Sequence, residues 1–403
     1  MEKIKTNAEA MAIGKECLMN TYGRYGVAMV RGEGSYLYDA DGKKYIDLLQ
    51  GVAVNNLGHG YPKFIEAVKD QLDNLMHCAN YFWIEPQVRL AKLIVDNSCF
   101  DKVFFGNSGA EANEGAIKIA RKYQKDHGHP ERYRVITMKQ SFHGRTLATL
   151  TATGQDKVQI GFEPLPDGFD YATYNDIESV KAAVTDKTAA IMLEPIIGEG
   201  GVIVAQDQFL KDLRQLCDEK GLLLIFDEVQ VGCGRTGKLF AHQWTGVEPD
   251  VMTMAKALGN GIPIGAIAAK GDAANTLQPG NHGTTFGGNP LATACGCAAL
   301  SIILEENLLD RANEMGEYLV NRLNEMKKDH PCIKEVRGKG LIVGAVIDVE
   351  DAHVITDPCF EKGLILNCTA GNVLRFIPAL TIEKEVLDEA LAIMEECMKE
   401  AGL

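Results

Sequence analysis

Residues 222–266 read LLLIFDEVQVGCGRTGKLFAHQWTGVEPDVMTMAKALGNGIPIGA, and this stretch decides the fold of the chain. It opens with an uninterrupted apolar run, Leu222 to Phe226, which ends at Asp227-Glu228. A short continuous run of this kind is typical of a strand buried on both faces of a parallel sheet. A second run, Val251 to Ala255, leads directly into Lys256. The pattern predicts two core strands that place an acid and an amine at their carboxyl ends.

The chemistry of Lys256 and Asp227 indicates a cofactor. Burial disfavours the charged form of a lysine, so a lysine that leaves an apolar strand has a lowered pKa and can act as a nucleophile. An acid on another strand end fits the ring nitrogen of pyridoxal 5′-phosphate (PLP), which a carboxylate keeps protonated. Taken alone, however, Lys256 also fits a surface lysine, and Asp227 a solvated strand end.

Strand and helix patterns alternate from about residue 103 to 270, which predicts an α/β fold whose mostly parallel sheet is covered on both faces. Ligands of such sheets bind outside the carboxyl ends of the strands. The candidate residues that follow predicted strands are Ser108, Phe142, Glu199, Asp227 and Lys256. Their shared position at strand ends is the strongest argument from the residues alone for a single site.

A helix begins after the short strand VFF, at Ser108-Gly109-Ala110-Glu111. Ser108 with Glu111 forms a capping-box pattern, and a helix N-terminus with a glycine is suited to bind phosphate. The same pattern is common as a cap without any ligand. The spacing Gly232-x-Gly234-x-x-Gly237 matches a dinucleotide-binding pattern, but no βαβ unit follows it, so we reject that interpretation.

A third motif, SFHGRT, places Phe142 and Arg145 beyond another predicted strand. Phe142 is suited either to the core or to the face of a planar cofactor. Arg145 matches the two oxygens of a carboxylate, although a loop arginine is usually solvated.

Composition limits the partners and the compartment. The chain has 403 residues and a net charge of −14, which argues against nucleic acid or an anionic membrane as a partner. We find no apolar run near the roughly 20 residues that span a bilayer, and the N-terminus lacks the apolar segment of a secretory signal. Eleven cysteines, an odd number without a CxxC pair, fit reduced thiols and predict a cytoplasmic protein. A long helical region is predicted from Ala292 to Lys328, followed by a smaller α+β region.

The motifs together identify a family. The segments that carry the likeness are FFGNSGAEANEGAIKIAR, SFHGRT, LEPIIGEGG, LLIFDEVQVGCGRTG, AKALGNGIPIGA, GTTFGGNPLA and LRFIPAL. From Tyr22 to the C-terminus the chain resembles the class III (ornithine-type) aminotransferases of fold type I, and among them it is most similar to the acetylornithine aminotransferases. The resemblance implies a PLP-dependent transferase fold with a mostly parallel seven-stranded sheet. It implies an N-terminal segment (1–55) that joins the small domain, a large PLP-binding domain (56–300) and a small C-terminal domain (301–403).

The resemblance also implies roles for individual residues. Lys256 would be the Schiff-base lysine, and Asp227 would pair with the ring nitrogen. The other implied cofactor contacts are Phe142 and Val229 on the two ring faces, Gln230 near the phenolic oxygen, Ser108, Gly109 and Ala110 at the phosphate, and Thr285 from the partner subunit of a homodimer. The implied substrate contacts are Tyr22 at the entrance, Arg145 on a carboxylate, and Arg375 on the α-carboxylate of glutamate, covered by Glu199 when the other substrate binds.

The implied reaction moves an amino group between glutamate/2-oxoglutarate and N-acetylornithine/N-acetylglutamate 5-semialdehyde, by double displacement, in arginine biosynthesis. Gly51 stands where ornithine aminotransferases carry a tyrosine, which leaves room for an acylated amine. Gly26 stands where relatives usually have proline, which loosens the Tyr22 loop. Ornithine, succinylornithine, 4-aminobutyrate and N-succinyl-diaminopimelate aminotransferases remain alternatives, as do an aminomutase, a decarboxylase and a non-catalytic PLP-binding protein.

Overall fold

The computed structural model describes residues 3–403. Within that range the chain forms twelve helical segments, of which the short α2 has left-handed backbone angles, and seventeen strands. The helices are α1 (Asn7–Cys17), α2 (Gln50–Ala53), α3 (Pro62–Asn74), α4 (Glu85–Asp96), α5 (Gly109–Asp126), α6 (Leu147–Ala152), α7 (Ile177–Ala183), α8 (Asp207–Lys220), α9 (Pro290–Glu305), α10 (Leu308–Asp329), α11 (His353–Glu361) and α12 (Lys384–Glu400).

The strands form one seven-stranded sheet, two four-stranded sheets and a two-stranded ribbon. Their bounds are β1 (Met29–Glu33), β2 (Tyr36–Asp39), β3 (Lys44–Asp47), β4 (Lys102–Gly106), β5 (Arg134–Met138), β6 (Phe169–Ala172), β7 (Thr188–Leu193), β8 (Ile196–Ile197), β9 (Ile203–Val204), β10 (Leu223–Asp227), β11 (Val251–Met254), β12 (Gly265–Ala269), β13 (Ile333–Lys339), β14 (Ile342–Ile347), β15 (Leu364–Ile365), β16 (Asn367–Thr369) and β17 (Val373–Phe376).

The seven-stranded sheet has the order β4-β12-β11-β10-β7-β5-β6. Strand β12 runs antiparallel to β11 and β4, while the pairs from β11 to β6 are parallel. The apolar runs that begin at Leu222 and Val251 form the neighbouring strands β10 and β11, and every residue of both strands is buried. The predicted mostly parallel seven-stranded sheet is therefore confirmed.

Helices cover the sheet on both faces, as the alternating pattern predicts. Helix α8 ends where Gly221 takes a left-handed conformation, with φ of 64°. Its apolar stripe packs with one side of β7 and β10. Helix α5 buries its alanine-rich and isoleucine-rich stripe against the other side. Since both faces are covered, the carboxyl edge of the parallel strands is left as the place where polar side chains can meet.

The N-terminal strands share a sheet with a strand from the C-terminal region. Strands β1, β2 and β3 form a meander, and β3 pairs in parallel with β15 through Ile46 and Leu364. The other four-stranded sheet, in the order β13-β14-β17-β16, lies entirely in the C-terminal region. This pairing supports the division into 1–55, 56–300 and 301–403, which remains a prediction.

The predicted helical region from Ala292 to Lys328 is helical except for one break. The region consists of α9 and α10, which are bent by 68° relative to each other. The break is at Asn307, whose φ of 55° is left-handed and cannot continue an α-helix. Among residues 3–403 no single helix has the length and apolar character to cross a membrane, and only this bent pair meets that test jointly.

Candidate active site

A cavity of about 460 Å³ opens at the carboxyl edge of the seven-stranded sheet. Residues that follow β4, β5, β7, β10 and β11 line it together, as expected for a sheet of this kind. The predicted site residues that line the cavity are Ser108, Gly109, Ala110, Phe142, Arg145, Glu199, Asp227, Val229, Gln230 and Lys256. The structure thus brings most of the predicted residues to one place.

Lys256 lies at the end of β11, after Ala255, and its side chain lines the cavity. Its backbone is left-handed, with φ of 44°, a conformation that lysine rarely adopts. Burial lowers the pKa of the Lys256 amine from 10.5, and the nearby carboxylate of Glu199 opposes that shift. The neutral amine, which can accept a proton, is therefore populated at lower pH than in a free lysine.

Asp227 is held by a set of fixed hydrogen bonds. Asn113 Nδ2 donates to Asp227 Oδ2 at 2.7 Å, and His143 Nδ1 donates to the same oxygen at 2.8 Å. The backbone N–H of Val229 donates to Asp227 Oδ1 at 3.0 Å. The Asp227 side chain is 3% exposed and the His143 side chain 0%. We call Asp227, Asn113 and His143 the Asp227 network.

Further bonds fix Asn113 itself. Its amide also donates to the carbonyl oxygen of His143 at 2.7 Å, and its Oδ1 accepts from the hydroxyl of Thr253 at 2.7 Å. Thr253 lies on β11, directly opposite Asp227 in the parallel register. One carboxylate is thus tied to β10, β11, α5 and the loop after β5, so it has little freedom to turn.

Glu194 is a buried acid on the cavity wall that the sequence analysis does not single out. Its carboxylate accepts from the backbone N–H groups of Phe142 at 2.8 Å and Gly198 at 3.4 Å. Burial raises the pKa of Glu194 to about 7, and the negative charge of Asp227 adds to that shift, while His143 opposes it. Glu194 therefore fixes the backbone of Phe142 and is partly protonated near neutral pH.

The N-terminus of α5 approaches the loop after β10 very closely. A Cβ atom on Gly109 would lie 2.7 Å from Val229 Cγ1, so only glycine permits this approach. Ser108 Oγ caps the helix by accepting from the N–H of Glu111 at 3.2 Å. The other half of the predicted capping box is wrong, because the Glu111 carboxylate accepts from the backbone of Asn107 and not from that of Ser108.

A second charged cluster borders the cavity and includes Arg375, on β17. Its Nη1 lies 2.7 Å from Glu199 Oε1 and donates to Gln230 Oε1 at 3.1 Å. Asn367 Oδ1, on the neighbouring strand β16, accepts from Nε at 2.9 Å and from Nη2 at 2.6 Å. Gln230 Nε2 also donates to Glu199 Oε1, at 3.2 Å. We call Arg375, Glu199, Gln230 and Asn367 the Arg375 cluster.

The two charges of this cluster differ in exposure. The Arg375 side chain is 2% exposed, whereas that of Glu199 is 32% exposed. Burial on its own would raise the pKa of Glu199, but Arg375 and then Lys256 more than offset this, so the pKa is lowered. Glu199 therefore carries a negative charge at neutral pH, next to the arginine and within the field of the lysine.

Arg145 is exposed at the cavity, where its guanidinium carbon lies 5.6 Å from the centre of the Phe142 ring. Two other predicted residues lie away from the cavity in this single chain. Thr285 lines a separate cavity of about 840 Å³ that also includes Tyr81 and Trp83. Tyr22 is exposed on the N-terminal segment, within 5.3 Å of the Arg24 guanidinium. Their proposed positions at the active site stay predictions.

Residues 19–398 match the family model described as Aminotransferase class-III. The chain belongs to the class-III aminotransferases. Its curated relatives in this family include acetylornithine aminotransferases from Caldanaerobacter subterraneus subsp. tengcongensis, 51% identical over 96% of this chain and 98% of the relative, and from Methanocaldococcus jannaschii, 50% identical over 96% and 97%. A solved ornithine aminotransferase from Toxoplasma gondii, with partial occupancy of PLP, matches with a TM-score of 0.94 and 33% identity over 99% of this chain and 95% of that one.

As a class-III aminotransferase, the chain is a PLP-dependent transaminase, and its cavity fits that cofactor. The first N–H groups of α5 have no partners within the helix and can bind a phosphate beside Gly109. A buried, ionisable acid at Asp227 matches a ring nitrogen, and the half-buried Phe142 and the side chain of Val229 offer apolar surfaces to a ring. Asn113 and His143 escape prediction because their partner Asp227 lies 114 and 84 residues away along the chain. Asn367 escapes prediction because its contact with Arg375 depends on the register of β16 and β17.

Proposed function

We propose that this class-III aminotransferase acts as an acetylornithine aminotransferase, which transfers an amino group between glutamate/2-oxoglutarate and N-acetylornithine/N-acetylglutamate 5-semialdehyde in arginine biosynthesis. The observation that carries the choice of substrate is the 50–51% identity to two enzymes of that name over nearly the full length of each chain. The geometry around Lys256 and Arg375 supports the same choice.

We propose the following roles for the residues of the cavity. PLP, when bound, supplies an aldehyde carbon that takes up the amino group and a ring that withdraws electrons from the substrate. Lys256 would attach the cofactor, take the proton from the substrate carbon that carries the reacting amine and pass it to the former aldehyde carbon, and would move a proton the opposite way in the second half-reaction, for which its lowered pKa is suited. Asp227 holds the ring nitrogen in its charged form, and the Asp227 network holds Asp227.

The remaining residues position the cofactor and the substrates. Phe142 and Val229 would face the two sides of the ring, and Gln230 would lie near the phenolic oxygen. Ser108, Gly109 and Ala110 would bind the phosphate through the N-terminus of α5. Arg145 would bind a substrate carboxylate, for which its exposed guanidinium at the cavity is suited.

The Arg375 cluster supports the use of two substrates by one pocket. Glutamate has one carboxylate beside its reacting amine and a second at its far end. N-acetylornithine has an uncharged methylene chain beside its reacting amine, and its carboxylate and neutral amide lie at the far end. Arg375 can bind the α-carboxylate of glutamate once Glu199 moves away, and the 32% exposure of the Glu199 side chain gives it room to move. When Glu199 covers Arg375, the paired charges leave a surface that tolerates an uncharged chain.

Gly51 supports an acylated substrate. Four consecutive residues, Gln50 to Ala53, have positive φ, and Gly51 itself has φ of 62°. A side chain at this position is strained in that conformation, and its Cβ would lie 3.3 Å from Asn55 Nδ2. The backbone therefore disfavours a bulky residue here, and a Cβ atom would also lie 3.5 Å from the Cβ of Val54, which lines the cavity.

A homodimer is part of this proposal. The segment after α3 exposes Tyr81 at 94% and Trp83 at 93%, and Phe286 is also exposed next to Thr285. A contiguous patch of exposed aromatic side chains is typical of a protein interface. Burial of this patch against a second copy would bring Thr285 into an interface, where it can reach the phosphate site of the partner. All eleven cysteines are free thiols, which supports a cytoplasmic location.

Steady-state specificity constants test the choice of substrate. The holoenzyme should have a kcat/KM for N-acetylornithine at least about tenfold above that for free ornithine, with 2-oxoglutarate as acceptor. The solved ornithine aminotransferase, with its TM-score of 0.94, favours ornithine as the second candidate. A preference for ornithine would reject the proposal. Formation of one glutamate for each aldehyde would separate either transaminase from a mutase or a decarboxylase.

A further inference from the structure

Three potential metal ligands meet on the surface of the C-terminal region, outside the active-site cavity. They are Asp351, His353 and Cys368, and one ligand atom from each lies within 4.8 Å of the other two. His353 Nδ1 lies 2.6 Å from Asp351 Oδ1 at the start of α11. Cys368 lies on β16, and its Sγ donates to the carbonyl oxygen of Gly371 at 3.2 Å. Tertiary structure, and not adjacent sequence, brings the thiol to the other two groups.

The cluster is separate from the active site although it shares a strand with the Arg375 cluster. Side chains alternate between the two faces of a strand. On β16, Asn367 holds Arg375, and the Thr369 hydroxyl donates to the carbonyl oxygen of Glu199. Cys368 lies between them and contacts the opposite side, where Asp351 and His353 are exposed. A cation can therefore reach these three groups from solvent without entering the cavity.

We propose that Asp351, His353 and Cys368 form a binding site for one Zn²⁺ ion per subunit. A thiolate, an imidazole and a carboxylate are a donor set that zinc prefers, whereas Mg²⁺ and Ca²⁺ prefer oxygen ligands alone. As the Zn–S bond forms, the S–H bond of Cys368 breaks and its proton leaves to solvent. The thiolate and the carboxylate of Asp351 then offset the two charges of the ion, and water completes the tetrahedral set.

The geometry requires a small rearrangement, in which the 2.6 Å separation of His353 Nδ1 and Asp351 Oδ1 widens and the longest separation in the cluster, up to 4.8 Å, shortens. Ligands about 2.0–2.3 Å from a tetrahedral zinc lie roughly 3.3–3.7 Å from one another. Asp351 and His353 are exposed, so their side chains can rotate inward without disturbing a core. Burial raises the pKa of the Cys368 thiol, and the charge of Asp351 adds to that shift. Since the ion must displace this proton, we expect zinc to bind more tightly as pH rises from 6 to 8.

Titration calorimetry of the PLP-loaded enzyme with ZnCl₂ tests the site. We expect one saturable site per subunit with release of a proton. Cys368→Ser and His353→Asn should each weaken binding about 10–100-fold. One matched control is Cys332→Ser, which removes another half-buried thiol. The other is His129→Asn: the His129 ring lies 3.5 Å from the carboxylate of Glu131, but this pair is not joined by a cysteine. Both controls should bind zinc as the wild type does.

Cobalt provides a second readout that a loss of folding cannot imitate. Co²⁺ bound by a thiolate gives a sulfur-to-metal charge-transfer band, which should be present in the wild type and in Cys332→Ser but absent in Cys368→Ser. Transaminase activity of each variant in metal-free buffer serves as the check that it folds. The proposal is rejected if no saturable binding occurs, if binding persists unchanged in Cys368→Ser, or if His129→Asn weakens it as much as His353→Asn does.

Discussion

The Asp227 network and the Arg375 cluster lie on two sides of one cavity, but they hold their charges in different ways. Asp227 and His143 are both almost fully buried, with side-chain exposures of 3% and 0%. In the Arg375 cluster only the arginine is buried, at 2%, while its acid partner is 32% exposed. The first pair has no partner that can leave without breaking several hydrogen bonds. In the second pair, the partly exposed Glu199 can leave Arg375.

This difference matches two chemical tasks. A cofactor that stays bound through every cycle needs a group of constant charge and position, and hydrogen bonds from several elements provide it. Two substrates that alternate in one pocket need a charge that can be covered and uncovered. A buried arginine with a partly exposed carboxylate provides that, because the carboxylate can move into water at low cost. The proposed use of one pocket by two substrates depends on this contrast.

Lys256→Ala should have the largest effect, because it removes the group proposed to act in both half-reactions. We expect kcat to fall by at least about 10⁴-fold. The absorption of cofactor bound through the lysine should disappear as well. Lys270→Ala, which removes a surface lysine 2.9 Å from Glu248, is the control and should keep both. Activity and spectrum that survive unchanged in Lys256→Ala would exclude Lys256 from the reaction.

Asp227→Asn should have the second largest effect, a fall in kcat of about 10²–10³-fold. The amide keeps the shape of the side chain but cannot hold a positive charge on a ring nitrogen. We expect the half-reactions with glutamate and with N-acetylornithine to slow by the same factor, since Asp227 contacts neither substrate. Rapid-mixing measurements of each half-reaction check this. A loss confined to one substrate would contradict the assignment of Asp227 to the cofactor.

Glu194→Gln tests the buried acid beside the Asp227 network through the pH dependence of stability. The pKa of Glu194 is about 7 in the folded protein and near 4.5 when unfolded, so the folded state binds the proton more tightly. The contribution of Glu194 to the free energy of unfolding is therefore fully present below about pH 4.5 and is lost as pH rises through about 7. Relative to the wild type, the glutamine variant should gain roughly 2–3 kcal/mol in unfolding free energy between pH 5 and 7.5. Urea denaturation of both proteins at the two pH values would measure this gain. If the variant and the wild type differ in unfolding free energy by the same amount at both pH values, the raised pKa of Glu194 is refuted.

Asn367→Ala should have the smallest effect. Asn367 accepts two hydrogen bonds from Arg375 and touches neither cofactor nor catalytic lysine. We expect the KM for glutamate to rise about tenfold, which corresponds to the loss of one or two hydrogen bonds to a charged group. The rate with N-acetylornithine should stay within about threefold. Asn372→Ala, on the loop before β17, is the control, and an equal loss with both substrates would show a general loss of structure.

The sequence predicts the parts of this site that depend on local pattern. Continuous apolar runs locate β10 and β11, so the carboxyl-end positions of Asp227 and Lys256 follow from them. The capping pattern at Ser108 likewise predicts the start of α5. The resemblance to the class III aminotransferases adds the prediction of seven strands in the sheet, which a count of apolar runs would not give.

The parts that escape prediction depend on tertiary contacts. Asn113 reaches Asp227 across 114 residues, and His143 reaches it across 84. Asn367 pairs with Arg375 only because β16 and β17 align in that register, which a strand pattern alone does not fix. The break at Asn307 likewise depends on a backbone conformation that an apolar periodicity cannot reveal.

The half-reactions of Glu199→Gln test the central contrast most directly. The neutral amide of the glutamine cannot offset the positive charge of Arg375, whether or not the glutamine side chain covers it. Measured by rapid mixing, the rate constant with glutamate should stay within about threefold of the wild type, while that with N-acetylornithine should fall about 10–100-fold. If both half-reactions slow by the same factor, Glu199 and Arg375 are as fixed as the Asp227 network, and the account of a substrate-dependent pair is wrong.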